Sequence, residues 1–168
     1  MNMPARIFVN AAMVVASLSF AGAMADELAG ELAPDFVLKS GSGENMRLSE
    51  YRGEVVLVNF WATWCGECRD QMPSLDSLYG LYRDAGLRLL SINLDSETDR
   101  GEELSERLNL GFPVLYDSDR EVSRLYDVGS TPVTLLIDRE GIVRHVHWGY
   151  RRGAEERYLE QVKALLRE

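Results

Sequence analysis

From Glu54 to Trp61 the chain is a nearly continuous apolar run rich in Val, the pattern of a strand buried on both faces. Helical spacing follows almost at once: Met72, Leu75, Leu78, Tyr79 and Tyr82 recur at intervals of three and four, so a helix is expected from Cys65 to about Tyr82, bent at Pro73. A strand covered on both sides that runs straight into a helix requires a sheet with helices packed on it. The rest of the chain agrees. Leu87 to Leu94 reads as a second buried strand, Glu97 to Leu108 as a helix, Val114 to Tyr116 as a short strand and Glu121 to Tyr126 as a short helical piece. Val133 to Ile137 and Ile142 to Trp148 flank the polar, Gly-terminated Asp138-Arg139-Glu140-Gly141, which reads as a hairpin turn. Ala154 to Leu166 is amphipathic, with Tyr158, Val162, Leu165 and Leu166 on its apolar side. Alternating strands and helices followed by a hairpin predict an α/β fold, a mixed central sheet flanked by helices.

The only cysteines are Cys65 and Cys68, at the expected start of the first helix. Residues i and i+3 lie on one face of a turn, within the Cα separation that a disulfide needs. At a helix N-terminus the unpaired N–H groups and the macrodipole stabilise a thiolate, which is expected to bring the pKa of Cys65 below the free value of about 8.5. Cys65 is then the nucleophile that attacks a partner's disulfide, and Cys68 resolves the mixed disulfide by attacking Cys65. A purely structural bridge is the plainer alternative, but so small a loop removes little unfolded-state entropy. A zinc or copper half-site completed by His145 and His147 is the other. Those histidines share one face of the last strand, which alternation alone makes a solvated face, and no further metal-ligand cluster appears. No metal or cofactor is expected.

The first 25 residues carry Arg6, no acid, and a mostly apolar stretch from Ile7 to Phe20 ending in Ala23-Met24-Ala25. This is the layout of a secretory signal peptide cleaved after Ala25. An uncleaved membrane anchor is the alternative, although Asn10, Ser17 and Ser19 interrupt a run already short of the roughly 20 apolar residues of a spanning helix. Residues 26–168 are then one domain in an oxidising, periplasmic or otherwise exported compartment. Losing Arg6 takes the net charge from −9 to −10, which repels phosphate backbones and anionic lipid and excludes nucleic acid as the natural partner. The apolar share of 46% is ordinary, so disordered and coiled-coil classes are excluded as well.

The segment Val56-Leu57-Val58-Asn59-Phe60-Trp61-Ala62-Thr63-Trp64-Cys65-Gly66-Glu67-Cys68-Arg69 resembles the active-site segment of the thioredoxin superfamily, in particular its exported TlpA-like branch. Gly129-Ser130-Thr131-Pro132 with the following Val133 to Asp138 resembles that family's cis-proline loop and hairpin, and Ala33-Pro34-Asp35-Phe36 its opening strand. The resemblance spans nearly all of residues 26–168. It implies a thioredoxin-like fold with a central insertion within Asp95 to Tyr116, a cis Thr131–Pro132 bond against the cysteine pair, and thiol-disulfide oxidoreductase activity. Trp64, Thr131 and Pro132 become the client-docking surface, where an extended segment can add as a strand. Implied partners are cysteine-containing exported clients in cytochrome c or copper-centre maturation and a membrane thiol-reducing electron donor. A redox-switched copper-binding module and a thiol peroxidase are the competing functions, the latter because the Ala33-Pro34-Asp35-Phe36 opening also occurs in peroxiredoxin-like relatives.

Two departures from the family pattern bear on chemistry. Gly66-Glu67 stands where many relatives have a proline. At roughly 6 Å in a watery setting, a Glu67 carboxylate disfavours the Cys65 thiolate by about 0.7 kcal/mol, or about 15 mV, too little to choose between oxidase and reductase. Asn59 stands where cytosolic thioredoxins bury an Asp, which removes one proton acceptor for Cys68.

Overall fold

The computed structural model describes residues 28–168, so the candidate signal segment lies outside the described residues. Five strands form the central sheet: β3 (Val55–Trp61), β4 (Leu87–Asn93), β5 (Val114–Tyr116), β6 (Val133–Ile137) and β7 (Val143–Trp148), in the order β5-β4-β3-β6-β7. β3, β4 and β5 are mutually parallel, β6 runs antiparallel to β3, and β7 runs antiparallel to β6. β3 is central and every one of its residues is buried, as its unbroken apolar run requires.

Alternation along β3 divides the core between the two faces. Val55, Leu57 and Trp61 pack with Met72 and Leu75 of α1 (Gly66–Tyr82) and with Tyr158, Val162 and Leu165 of α4 (Ala154–Arg167). Val56, Val58 and Phe60 point the other way, onto Val122 of α3 (Glu121–Leu125), Tyr126 and Phe36. The central insertion is present as α2 (Thr98–Arg107) and β5, which extends the sheet beyond β4. Pro73 lies inside α1, which continues through it to Tyr82.

One expected strand is displaced. Ala33 to Phe36 is not a strand; the first strands are β1 (Val37–Lys39) and β2 (Asn45–Arg47), a small hairpin closed across the polar turn by Ser40 N–H to the Glu44 carbonyl at 2.8 Å. Pro34 has no N–H to give to a ladder. Its neighbours bond elsewhere: Ala33 N–H donates to the Gly141 carbonyl, and the Asp35 carboxylate receives both the N–H and the hydroxyl of Ser49.

Candidate active site

The cysteine pair sits where β3 ends and α1 begins. Cys65 is the N-cap of α1, and Cys65 and Cys68 form a disulfide of 2.10 Å with the Cα atoms 5.3 Å apart. Cys65 Sγ accepts the N–H of Cys68 at 3.1 Å, so one of the orphan donors in the first turn of the helix is aimed at the first sulfur. Exposure separates the two: Cys65 retains 7% and Cys68 none. The turn that carries them is held from two sides. Thr63 gives its N–H to the buried Asp95 carboxylate at 3.0 Å and its carbonyl accepts from the Arg69 guanidinium at 3.2 Å. Asp95 is itself fixed by the Asn93 amide at 2.8 Å.

Across from the disulfide lies the loop before β6. The Thr131–Pro132 bond is cis, and the Thr131 carbonyl oxygen is 3.6 Å from Cys65 Sγ. Among the described residues, Thr131 makes no main-chain hydrogen bond to another main-chain group, which leaves an edge for an added strand. Trp64, the residue before Cys65, stands 65% exposed. The expected site residues are therefore brought together, Glu67 with a different partner from the one anticipated. Its Oε2 accepts the N–H of Tyr150 at 3.1 Å, which ties the cysteine turn to the loop between β7 and α4. At Gly66 an added Cβ would meet nothing within 4 Å, so this glycine does not relieve crowding.

Below the pair is a buried polar row that the sequence reading recognised only at Asn59. The strand registers align Ser91 (β4), Asn59 (β3), Thr134 (β6) and His147 (β7). Gln71, one turn beyond Cys68 on α1, covers the row with Tyr158 of α4. The Asn59 amide donates to Gln71 Oε1 at 3.0 Å and Thr134 Oγ1 at 3.1 Å; the Gln71 amide donates to Thr134 Oγ1 at 3.0 Å and Tyr158 Oη at 3.2 Å. Asn59 Oδ1 is buried without a partner. Gln71, Thr134, Tyr158 and Asp95 were missed. One signal pointed to Gln71: it is a polar residue within the stripe Cys68, Met72, Leu75, Leu78, where an amphipathic helix places only apolar groups.

The histidines are not on a solvated face. α4 covers that side: the His147 ring packs 4.9 Å from Tyr158, and His147 Nε2 bonds Gln161 Oε1 at 2.7 Å. Burial pushes the pKa of His147 down. β6 stands between β7 and the strand that leads to the cysteines, and among the described residues no three His, Cys, Asp or Glu side chains group to hold a metal. The copper arrangement of Cys65 and Cys68 with a histidine is thus not assembled.

Comparison with known proteins gives the same reading. The AhpC/TSA family pattern matches residues 29–146. The chain is 40% identical over 135 residues to Thiol-disulfide oxidoreductase ResA of Geobacillus kaustophilus, covering 80% of this chain and 78% of that protein. It is 34% identical over 120 residues to ResA of Bacillus subtilis, covering 71% and 67%. The crystal structure described as a putative thiol:disulfide interchange protein DsbE from Chlorobium tepidum superposes with a TM-score of 0.79 at 35% identity, covering 82% of this chain and 97% of that one. With a thioredoxin-like fold and a cysteine pair at disulfide distance, the chain belongs to the AhpC/TSA family and is a thiol-disulfide oxidoreductase.

Proposed function

We propose that this protein is an exported protein-disulfide reductase, with residues 26–168 as the working domain once a signal segment is cleaved after Ala25. The observation that carries the dithiol exchange is the inequality of the two sulfurs: Cys65 keeps 7% exposure, is bonded by a helix N–H and is set against the Thr131 carbonyl, whereas Cys68 keeps none. Cys65 is the nucleophile. Its thiolate attacks a client disulfide, one client sulfur leaves with the electron pair, and Cys68 then attacks Cys65 to release the second client thiol. Trp64 and the main chain of Thr131 before Pro132 hold the client strand, and Gly66 and Glu67 tune the pair. The TlpA-like resemblance of the cysteine segment supports clients among exported cysteine proteins, in cytochrome c or copper-centre assembly, with a membrane thiol-reducing protein returning the electrons.

Equilibration with glutathione tests the direction. A potential more reducing than about −220 mV is expected, and a value near the about −120 mV of the periplasmic oxidant DsbA overturns the reductase assignment. Cys68→Ser should hold a client as a mixed disulfide through Cys65, and Cys65→Ser should not; equal trapping by both contradicts the assigned roles.

A further inference from the structure

Beside the disulfide, on the β7 side, lies an open cavity of about 540 Å³ whose lining includes Glu67, His147, Trp148, Tyr150, Arg151 and Arg157. It adjoins the client edge directly, because Gly149 N–H donates to the Pro132 carbonyl at 2.8 Å and Trp148 pairs with Val133. Two arginines and one glutamate line it, on a chain whose net charge is −9. Among the described residues neither Arg151 nor Arg157 forms an ion pair. The nearby acids bond other groups. Glu67 is occupied by the Tyr150 N–H, Glu155 by Gly153 N–H and the Tyr150 hydroxyl, and Glu155 and Glu156 line a different groove with Leu78 and Leu81. His147 is turned to Gln161, and Trp148, 45% exposed, offers an indole face at the rim.

We propose that this cavity is an anion-accepting subsite of the client-binding surface, in which Arg151 and Arg157 receive a carboxylate carried a few residues from the client's reactive cysteine. The inference rests on the oxidoreductase reading and adds the class of client the site prefers. Charge repulsion from the rest of the protein disfavours acidic clients at long range, so selection has to come from contact at this one place. Guanidinium suits the task, since its planar fork meets a carboxylate through two parallel hydrogen bonds.

Small disulfides separate the subsite from the chemistry. The protein is reduced with dithiothreitol, freed of it, and mixed with oxidised glutathione (anionic), hydroxyethyl disulfide (neutral) or cystamine (cationic). Acid quenching and mass measurement follow its conversion to the disulfide form. In each case the protein dithiol loses two electrons, the disulfide bond of the substrate takes them, and two small thiols leave. The ratio of the glutathione rate to the hydroxyethyl rate is the readout. Arg151→Gln with Arg157→Gln should lower that ratio by about tenfold, equal to about 1.4 kcal/mol, and should raise the relative rate with cystamine. Arg107→Gln with Arg124→Gln, which removes as much charge elsewhere, should leave the ratio unchanged. An equal drop in both doubles assigns the effect to net charge and overturns the subsite, as does no drop in either. Failure of the reduced protein to react with hydroxyethyl disulfide at all overturns the oxidoreductase reading instead.

Discussion

The N–H of Cys68 points at the sulfur of Cys65, 3.1 Å away, while its own side chain has no contact with solvent. One backbone donor thus serves the outer sulfur and not the inner one. The proposed mechanism makes Cys65 the reactive thiol of the reduced protein. Iodoacetamide at pH 6.5 should alkylate Cys65 at least about tenfold faster than Cys68, read by peptide mass mapping. Equal labelling of the two would contradict the geometry.

Asn59 is buried with a neutral amide where a carboxylate could sit, and its Oδ1 has no partner. Asn59→Asp would place an ionisable group among Gln71, Thr134 and Tyr158, all neutral. Burial raises a carboxyl pKa, so the unfolded chain ionises first and stability falls as pH rises from about 4 towards the folded value. At pH 7 the variant should lose about 3 kcal/mol against the parent, recovering most of it near pH 4, as measured by urea unfolding at the two pH values.

His147 gives a pH dependence of its own. Burial against Tyr158 lowers its pKa below 6.5, the bond to Gln161 opposing the shift and the nearby His145 and Arg157 adding to it. The unfolded chain therefore binds a proton at higher pH than the folded one. The stability contribution is present above pH 6.5 and is lost as pH falls through 6.5 towards the lowered value. Between pH 7.5 and 5.5 the parent should lose more stability than His147→Gln does, and equal losses would count against the shift.

Gly101 in α2 sets two rules against each other. Helix propensity favours alanine by about 1 kcal/mol, but a Cβ at this position would lie 2.8 Å from Cγ and Oδ1 of Asn93. Asn93 is buried and holds Asp95, which holds Thr63. Displacing it costs about 1–3 kcal/mol, so packing wins. Gly101→Ala should lower Tm by several degrees, and a rise in Tm would show that Asn93 moves aside freely.

The bounds of β5 and β6, and nearly those of β4, β7 and α4, could be read from periodicity, because each apolar face is long enough to declare its period. The first strand could not. Ala33-Pro34-Asp35-Phe36 resembles the family's opening strand, yet whether a segment joins a ladder depends on where its N–H groups find acceptors. Here Ala33 N–H goes to the Gly141 carbonyl, while the Asp35 carboxylate and the Phe36 carbonyl accept the N–H groups of Ser49 and Leu48. His145 and His147 misled for a related reason: alternation gives a shared face but not what lies over it, and α4 lies over it.

The sequence by itself determined the chemistry. Two cysteines three apart at a strand-to-helix junction can close on each other and point one helix N-terminus at one sulfur, and local geometry is enough to require both. Only the tertiary structure decided the surroundings. The Thr131 carbonyl comes within 3.6 Å of Cys65 from 66 residues away, Glu67 turns to Tyr150, and Gln71 meets Asn59 and Tyr158. These contacts join segments far apart along the chain, and strand order and helix packing set their distances.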